Sequence, residues 1–120
     1  MVDIEAVLCS VLPPILGCPV ATQRPSDANG PYVRVRATGG PGVRSEVLDE
    51  ATVAWEASAP TEASSLAVAG AVMKAIGSMV GSRQSGAWIC DARSTRPARF
   101  DDEDGVPRYV GTASFLIQIN

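Results

Sequence analysis

The sequence predicts an α+β fold, a mostly antiparallel or mixed sheet of about five strands with two helices packed on one face. Three observations carry this. Apolar residues recur at helical spacing near the N-terminus and again after Pro60, they alternate with polar residues in the segments between and after, and the two kinds of segment are not in strict βαβ alternation. At 120 residues, and with no internal repeat or linker, the chain is expected to form one domain, 1–120.

Asp3 can cap a first helix whose Ile4, Val7, Leu8, Val11 and Leu12 form one apolar stripe. Pro13-Pro14 is expected to end or kink it, because proline lacks the backbone donor that a continuing helix uses. Ile15 and Leu16 extend the apolar contact before Gly17 turns the chain, and Pro19–Gln23 reads as a short strand. Loop chemistry fills 24–31. Tyr32–Thr38 then alternates, with Tyr32, Arg34 and Arg36 on one face and Val33, Val35 and Ala37 on the other. Gly39-Gly40-Pro41-Gly42 is expected to break that strand, Val43–Leu48 to form a weaker one, and Asp49-Glu50 to turn.

Ala51–Ser58 alternates cleanly, with Val53, Trp55 and Ala57 opposed to Thr52, Glu56 and Ser58. Thr61 is the expected N-cap of a second helix, with Leu66, Ala69, Gly70, Met73, Ile76, Gly77 and Val80 on its buried side. Its far side carries Ala67, Ala71 and Ala75, small and apolar enough to imply cover on both sides or contact with another subunit. Gly81–Gly86 is a polar connection, Trp88–Ala92 a strand and Arg93–Arg108 a long loop. The chain closes on an alternating strand with Gly111, Ala113, Phe115, Ile117 and Ile119 directed inward.

Composition excludes several functions. There is no histidine, which removes the commonest general base and most metal sites, and Cys9, Cys18 and Cys90 show no ligand spacing. Catalytic residues, metal and cofactors are therefore expected to be none. Gly39–Gly42 is not followed by the Gly-Lys-Ser/Thr of a phosphate loop. The acidic run at 101–104 fails as a calcium loop, since aligning Asp104-Gly105 with its fifth and sixth positions puts Phe100 and Gly111 where carboxylates are required. A net charge of −3 without a basic run argues against sequence-specific nucleic-acid binding. No signal-peptide pattern or membrane-length apolar run is present, so a soluble chain made in a reducing cytoplasm is expected. The basic residues are nine arginines and one lysine, a skew that GC-rich coding or a protein interface would each produce.

The order of these elements resembles the tail terminator family of long-tailed bacteriophages. The features that carry the likeness are the short first helix, Cys18-Pro19-Val20, Arg24-Pro25, and Tyr32 through Thr38-Gly39-Gly40. The strand around Trp55, the Ala-rich helix, and Asp101 through Gly105-Val106-Pro107-Arg108-Tyr109 with its strand complete it. The likeness lies in layout over nearly the whole chain, without an invariant chemical signature. It implies a virion structural protein of the tail or neck, assembled in the host cytoplasm and not an enzyme. It also implies a ring, hexameric in the family, that caps the tail tube, stops its polymerisation and joins the head. The implied partners are other copies of the chain, the major tail tube protein and a head-tail connector, with no membrane. Charge and loop placement nominate Arg34, Arg36, Asp49, Arg99, Asp101, Asp102 and Arg108 for protein contacts. Another neck or head-closure protein, a small ligand-binding or catalytic α+β domain, and a generic bacterial interaction module are the competing readings.

Overall fold

In a computed structural model, residues 1–26, 30–101 and 104–119 are described, with the backbone alone at Asp101. Two helices, α1 (Ile4–Leu16) and α2 (Glu62–Ser78), pack on one face of a seven-stranded mixed sheet. The strands are β1 (Val20–Ala21), β2 (Tyr32–Arg44), β3 (Leu48–Ser58), β4 (Ser82–Gln84), β5 (Ala87–Ser94), β6 (Ala98–Asp101) and β7 (Pro107–Gln118). Their order is β1-β2-β3-β7-β5-β4, with β6 also on β7. Because β3 occupies one edge of β7 from Arg108 to Gln118, β5 and β6 share the other, β5 opposite 113–118 and β6 opposite 107–110. Among the described residues, only the β1–β2 pair is parallel.

Alternation sets the two faces of the sheet. Val33, Val35, Val53, Trp55, Ala57, Ala113, Phe115 and Ile117 are buried toward the helices. Cross-strand neighbours share that face, as in Val35–Trp55–Gly111 and Asp49–Ile117–Ile89. The opposite face carries Arg34, Arg36, Thr52, Ala54, Glu56, Val110 and Thr112, and neither helix covers it.

Asp3 caps α1 as expected, its carboxylate accepting from Ala6 N at 3.1 Å. The helix does not stop at Pro13-Pro14. It runs to Leu16, which packs against the core, and Gly17 closes it at φ 69° with its N–H donating to Pro13 O at 2.8 Å. Ile15, expected to continue the apolar contact, is exposed, so in that last turn it is Leu16 that packs on the core, and the Gly17 cap satisfies the Pro13 carbonyl. The glycine run 39–42 does not break its strand either. It forms irregularities inside β2, with register shifts after Ala37 and Gly39, and the chain reverses at Ser45 and Glu46, both at positive φ. Asp49 and Glu50 therefore lie within β3, where a turn was expected.

Thr61 caps α2 in a reciprocal capping box with Ser64. The helix is rotated from the expected phase. Its buried residues are Ser65, Ala69, Val72, Ala75 and Ile76, whereas Leu66, Gly70, Gly77 and the following Val80 are exposed. Ala67 and Ala71 do face outward, but Ala75 is buried. Two segments expected as loops supply short strands, β4 against β5 and β6 against β7. Val20–Ala21 is all that pairs of the strand expected over 19–23.

Candidate functional site

The terminal strand and the β2–β3 hairpin meet at one end of the sheet in a chain of ionic and hydroxyl contacts. Arg24 clamps Glu56 through two hydrogen bonds, Nε to Oε2 at 2.8 Å and Nη2 to Oε1 at 3.0 Å. The Tyr32 hydroxyl donates to Glu56 Oε2 at 3.1 Å and accepts from Arg108 Nε at 3.0 Å. Arg108 in turn grips Asp104, Nη1 to Oδ1 at 2.9 Å and Nη2 to Oδ2 at 2.8 Å. Glu56 and Arg108 are 7% and 3% exposed, so this is a buried clip holding two loop residues, Arg24 and Asp104, to the sheet. Burial pushes the Glu56 carboxyl up, but the bonds from Arg24 and Tyr32, with the Arg34 charge, bring it below its ordinary value.

Beside this clip, on the face without helices, lies a groove of about 410 Å³. Arg34 and Arg36 project from β2 along one side, and Thr95, Arg96 and Ala98 bound the other. Register places Ala54, Val110 and Thr112 between them, so the floor is made of small and short side chains. Arg34 is half-buried, and Arg36 and Arg96 are exposed. None of the three forms an ion pair among the described residues, and Glu56 at the end of the groove has both oxygens engaged by Arg24 and Tyr32.

A second depression of about 380 Å³ lies further along the same face, toward the hairpin. Its charges are already paired, Arg44 with Glu50 at 2.8 Å and Arg93 with Asp91 at 3.3 Å.

The residues nominated from sequence thus separate. Arg34 and Arg36 stand together on the open face as expected. Arg99 lies on the helix side, paired with Glu62 of α2. Arg108 belongs to the buried clip, and Asp49, 2% exposed, accepts from Val2 N at 2.9 Å and anchors the N-terminal segment. Both were expected at a rim and are instead buried within the chain, because each lies inside a strand at a position where neighbouring segments close over it. The Asp101 side chain and Asp102 lie outside the described residues. Arg96 was not singled out from sequence, and no local pattern marks it; its loop is brought beside β7 by β5 on one side, by β6 on the other, and by the bonds between Thr95 and Thr112. Cys9, Cys18 and Cys90 are free, and no group of His, Cys, Asp and Glu suited to a metal occurs among the described residues. No helix among them is long and apolar enough to cross a membrane.

No family model matches this sequence, and no curated protein does. Among solved structures, the chain is similar to one in the virion of a native gene transfer agent particle. The TM-score is 0.59 at 16% identity, covering 96% of this chain and 90% of that one. At that identity the likeness is one of fold, over nearly the whole of this chain.

Proposed function

We propose that this chain is a virion structural protein that acts as a tail terminator. Copies of it form a ring, six in the family it resembles, that caps the tail tube, stops tube-subunit addition and offers the surface for joining the head. The observation that carries this reading is the match of the fold, over nearly its full length, to a chain of a virion particle. The element order that resembles tail terminators supports it independently. A uniform ring requires a heterologous contact that closes on itself, with two different patches of each copy meeting. The open sheet face, with Arg34 and Arg36 on it, is one such patch, and its role is mechanical, not catalytic.

Light scattering of the purified protein tests this, across concentration and with a purified tail-tube protein added. A mass near six subunits, alone or on adding tube protein, with rings visible by electron microscopy, is the expected result. A chain that stays monomeric and ignores the tube protein would sink the reading. Binding to a portal or adaptor protein in place of the tube would identify a head-closure protein. Ring formation and tail joining that survive Arg34→Glu with Arg36→Glu would remove those two residues from the contact.

A further inference from the structure

The groove between Arg34, Arg36 and Arg96 has the form of a binding site for a specific chemistry. Arg34 and Arg36 are two residues apart on one strand face, which sets their Cα atoms roughly 7 Å apart. An extended peptide repeats its side chains at that same interval. Arg96 adds a third guanidinium from the opposite bank, and nothing large rises between them. Guanidinium groups take carboxylates through two parallel hydrogen bonds, and here three lie around one groove without forming an ion pair among the described residues.

We infer that this groove binds an extended, acidic protein segment of an assembly partner, with carboxylates at alternate positions meeting Arg34 and Arg36 and Arg96 closing over it. The inference deepens the assembly reading and rests on it only in taking the partner to be a protein. Two observations favour a carboxylate-bearing segment over nucleic acid. The chain carries a net charge of −3, which repels a long polyanion, and the one aromatic residue lining the groove, Trp55, is buried and offers no face for stacking bases. A short extended segment meets only the local positive field. Its side chains lie over Ala54 and Thr112, which leave room for it.

The test is fluorescence anisotropy at low salt, using the whole protein and three labelled probes. They are a short synthetic peptide alternating Glu and Thr, its Gln–Thr counterpart, and an oligothymidylate of similar length. The acidic peptide is expected to bind at least about tenfold tighter than the Gln–Thr peptide, and more weakly as salt rises. The triple variant Arg34→Glu, Arg36→Glu, Arg96→Glu is expected to lose at least about tenfold in affinity. Arg93→Glu, on the same face but outside the groove, is expected to leave binding intact. Circular dichroism confirms that each variant is folded; should the triple variant fail to fold, Arg36→Gln with Arg96→Gln, both at exposed positions, replaces it. Equal binding of the two peptides, no binding, loss that does not depend on the groove arginines, or tighter binding of the oligothymidylate would each overturn the inference. A ring-forming protein whose groove ignores acidic peptides would leave the terminator reading standing and remove this one. Peptide binding without a ring or a tube contact would do the reverse.

Discussion

The indole of Trp55 lies across Gly111, its cross-strand neighbour, so closely that a Cβ on Gly111 would sit 2.5 Å from Trp55 Cζ2. That approach lets the ring reach past β7, where Nε1 donates to Ser94 Oγ at 2.8 Å, at the break between the two short strands on the far edge. Gly111 is thus required for space, not for an unusual backbone angle. Gly111→Ala is expected to displace the ring, sever the bond to Ser94 and cost about 2 kcal/mol. Denaturant titration followed by tryptophan emission checks this, and an unchanged midpoint would mean that the ring has room to shift.

Glu56 is the carboxylate around which the clip at the end of the sheet is organised. Removing it leaves Arg24 without its bidentate partner, Tyr32 without an acceptor, and Arg108 in a buried position with one less negative charge nearby. Glu56→Ala is expected to cost about 3 kcal/mol, the range for breaking a buried ionic network from one side. Glu56→Gln keeps the acceptor oxygen and is expected to cost less. Urea unfolding of the two variants against the parent gives the comparison; equal losses would assign the effect to the charge that both variants remove and not to packing.

Acid acts on the same clip. The hydrogen bonds from Arg108, then the Val106 N–H, hold the Asp104 carboxyl at about 2, below its ordinary value of 3.8. A carboxyl depressed in the folded state contributes stability above its unfolded pKa, and that contribution fades as pH falls through the folded value. The window is therefore roughly pH 4 down to 2. Asp104→Asn is expected to be less stable than the parent at pH 5, with the difference shrinking toward pH 2. Unfolding midpoints measured across that range test it, and a constant difference would show that Asp104 acts by shape alone.

How far the sequence revealed this architecture depended on how exclusive each signal was. From Tyr32 to Thr38, and from Thr52 to Ser58 apart from Ala54, every second residue is polar or charged, so the faces, including the placing of Arg34 with Arg36, were readable directly. In α2, Ala, Val, Met and Ile occur on every side, so the pattern announced a helix without fixing its phase. Ser65 settled it: its hydroxyl accepts from Ala59 N at 2.9 Å and lies 3.1 Å from Pro107 O, the second a tertiary partner that no local window contains. This satisfied serine is buried where Leu66 was expected. Arg24, Glu56 and Asp104 became one network, and Arg96 a groove wall, through pairings among segments far apart in the chain. The pairings of β4 and β6 were hidden because strands of three and four residues carry too little alternation.

Gly39-Gly40-Pro41-Gly42 showed the same limit most clearly, and the segment yields the last prediction. Glycine in a strand marks either an end or a bulge, and local sequence does not separate the two. Here the run is a bulge, because β3 continues beside it from Thr52 back to Leu48 and holds β2 in the sheet. Gly40 is the position where that depends on the residue type. Its φ is 110°, and a Cβ there would meet Glu50 O at 2.9 Å, Thr52 N at 3.0 Å and Ala51 Cα at 3.2 Å, all of them backbone atoms that cannot rotate away. Gly39 has a similar φ of 102° but open space around it. Gly40→Ala is therefore expected to cost about 3 kcal/mol, and Gly39→Ala less, about 1 to 2 kcal/mol from backbone strain alone. Hydrogen exchange should show Gly40→Ala loosening the amides of Arg44 and Leu48 while those of Val33 and Val53 stay protected. Equal costs for the two glycines would mean that the bulge relaxes as a unit, and that the close approach of Gly40 to β3 does not hold the hairpin in register.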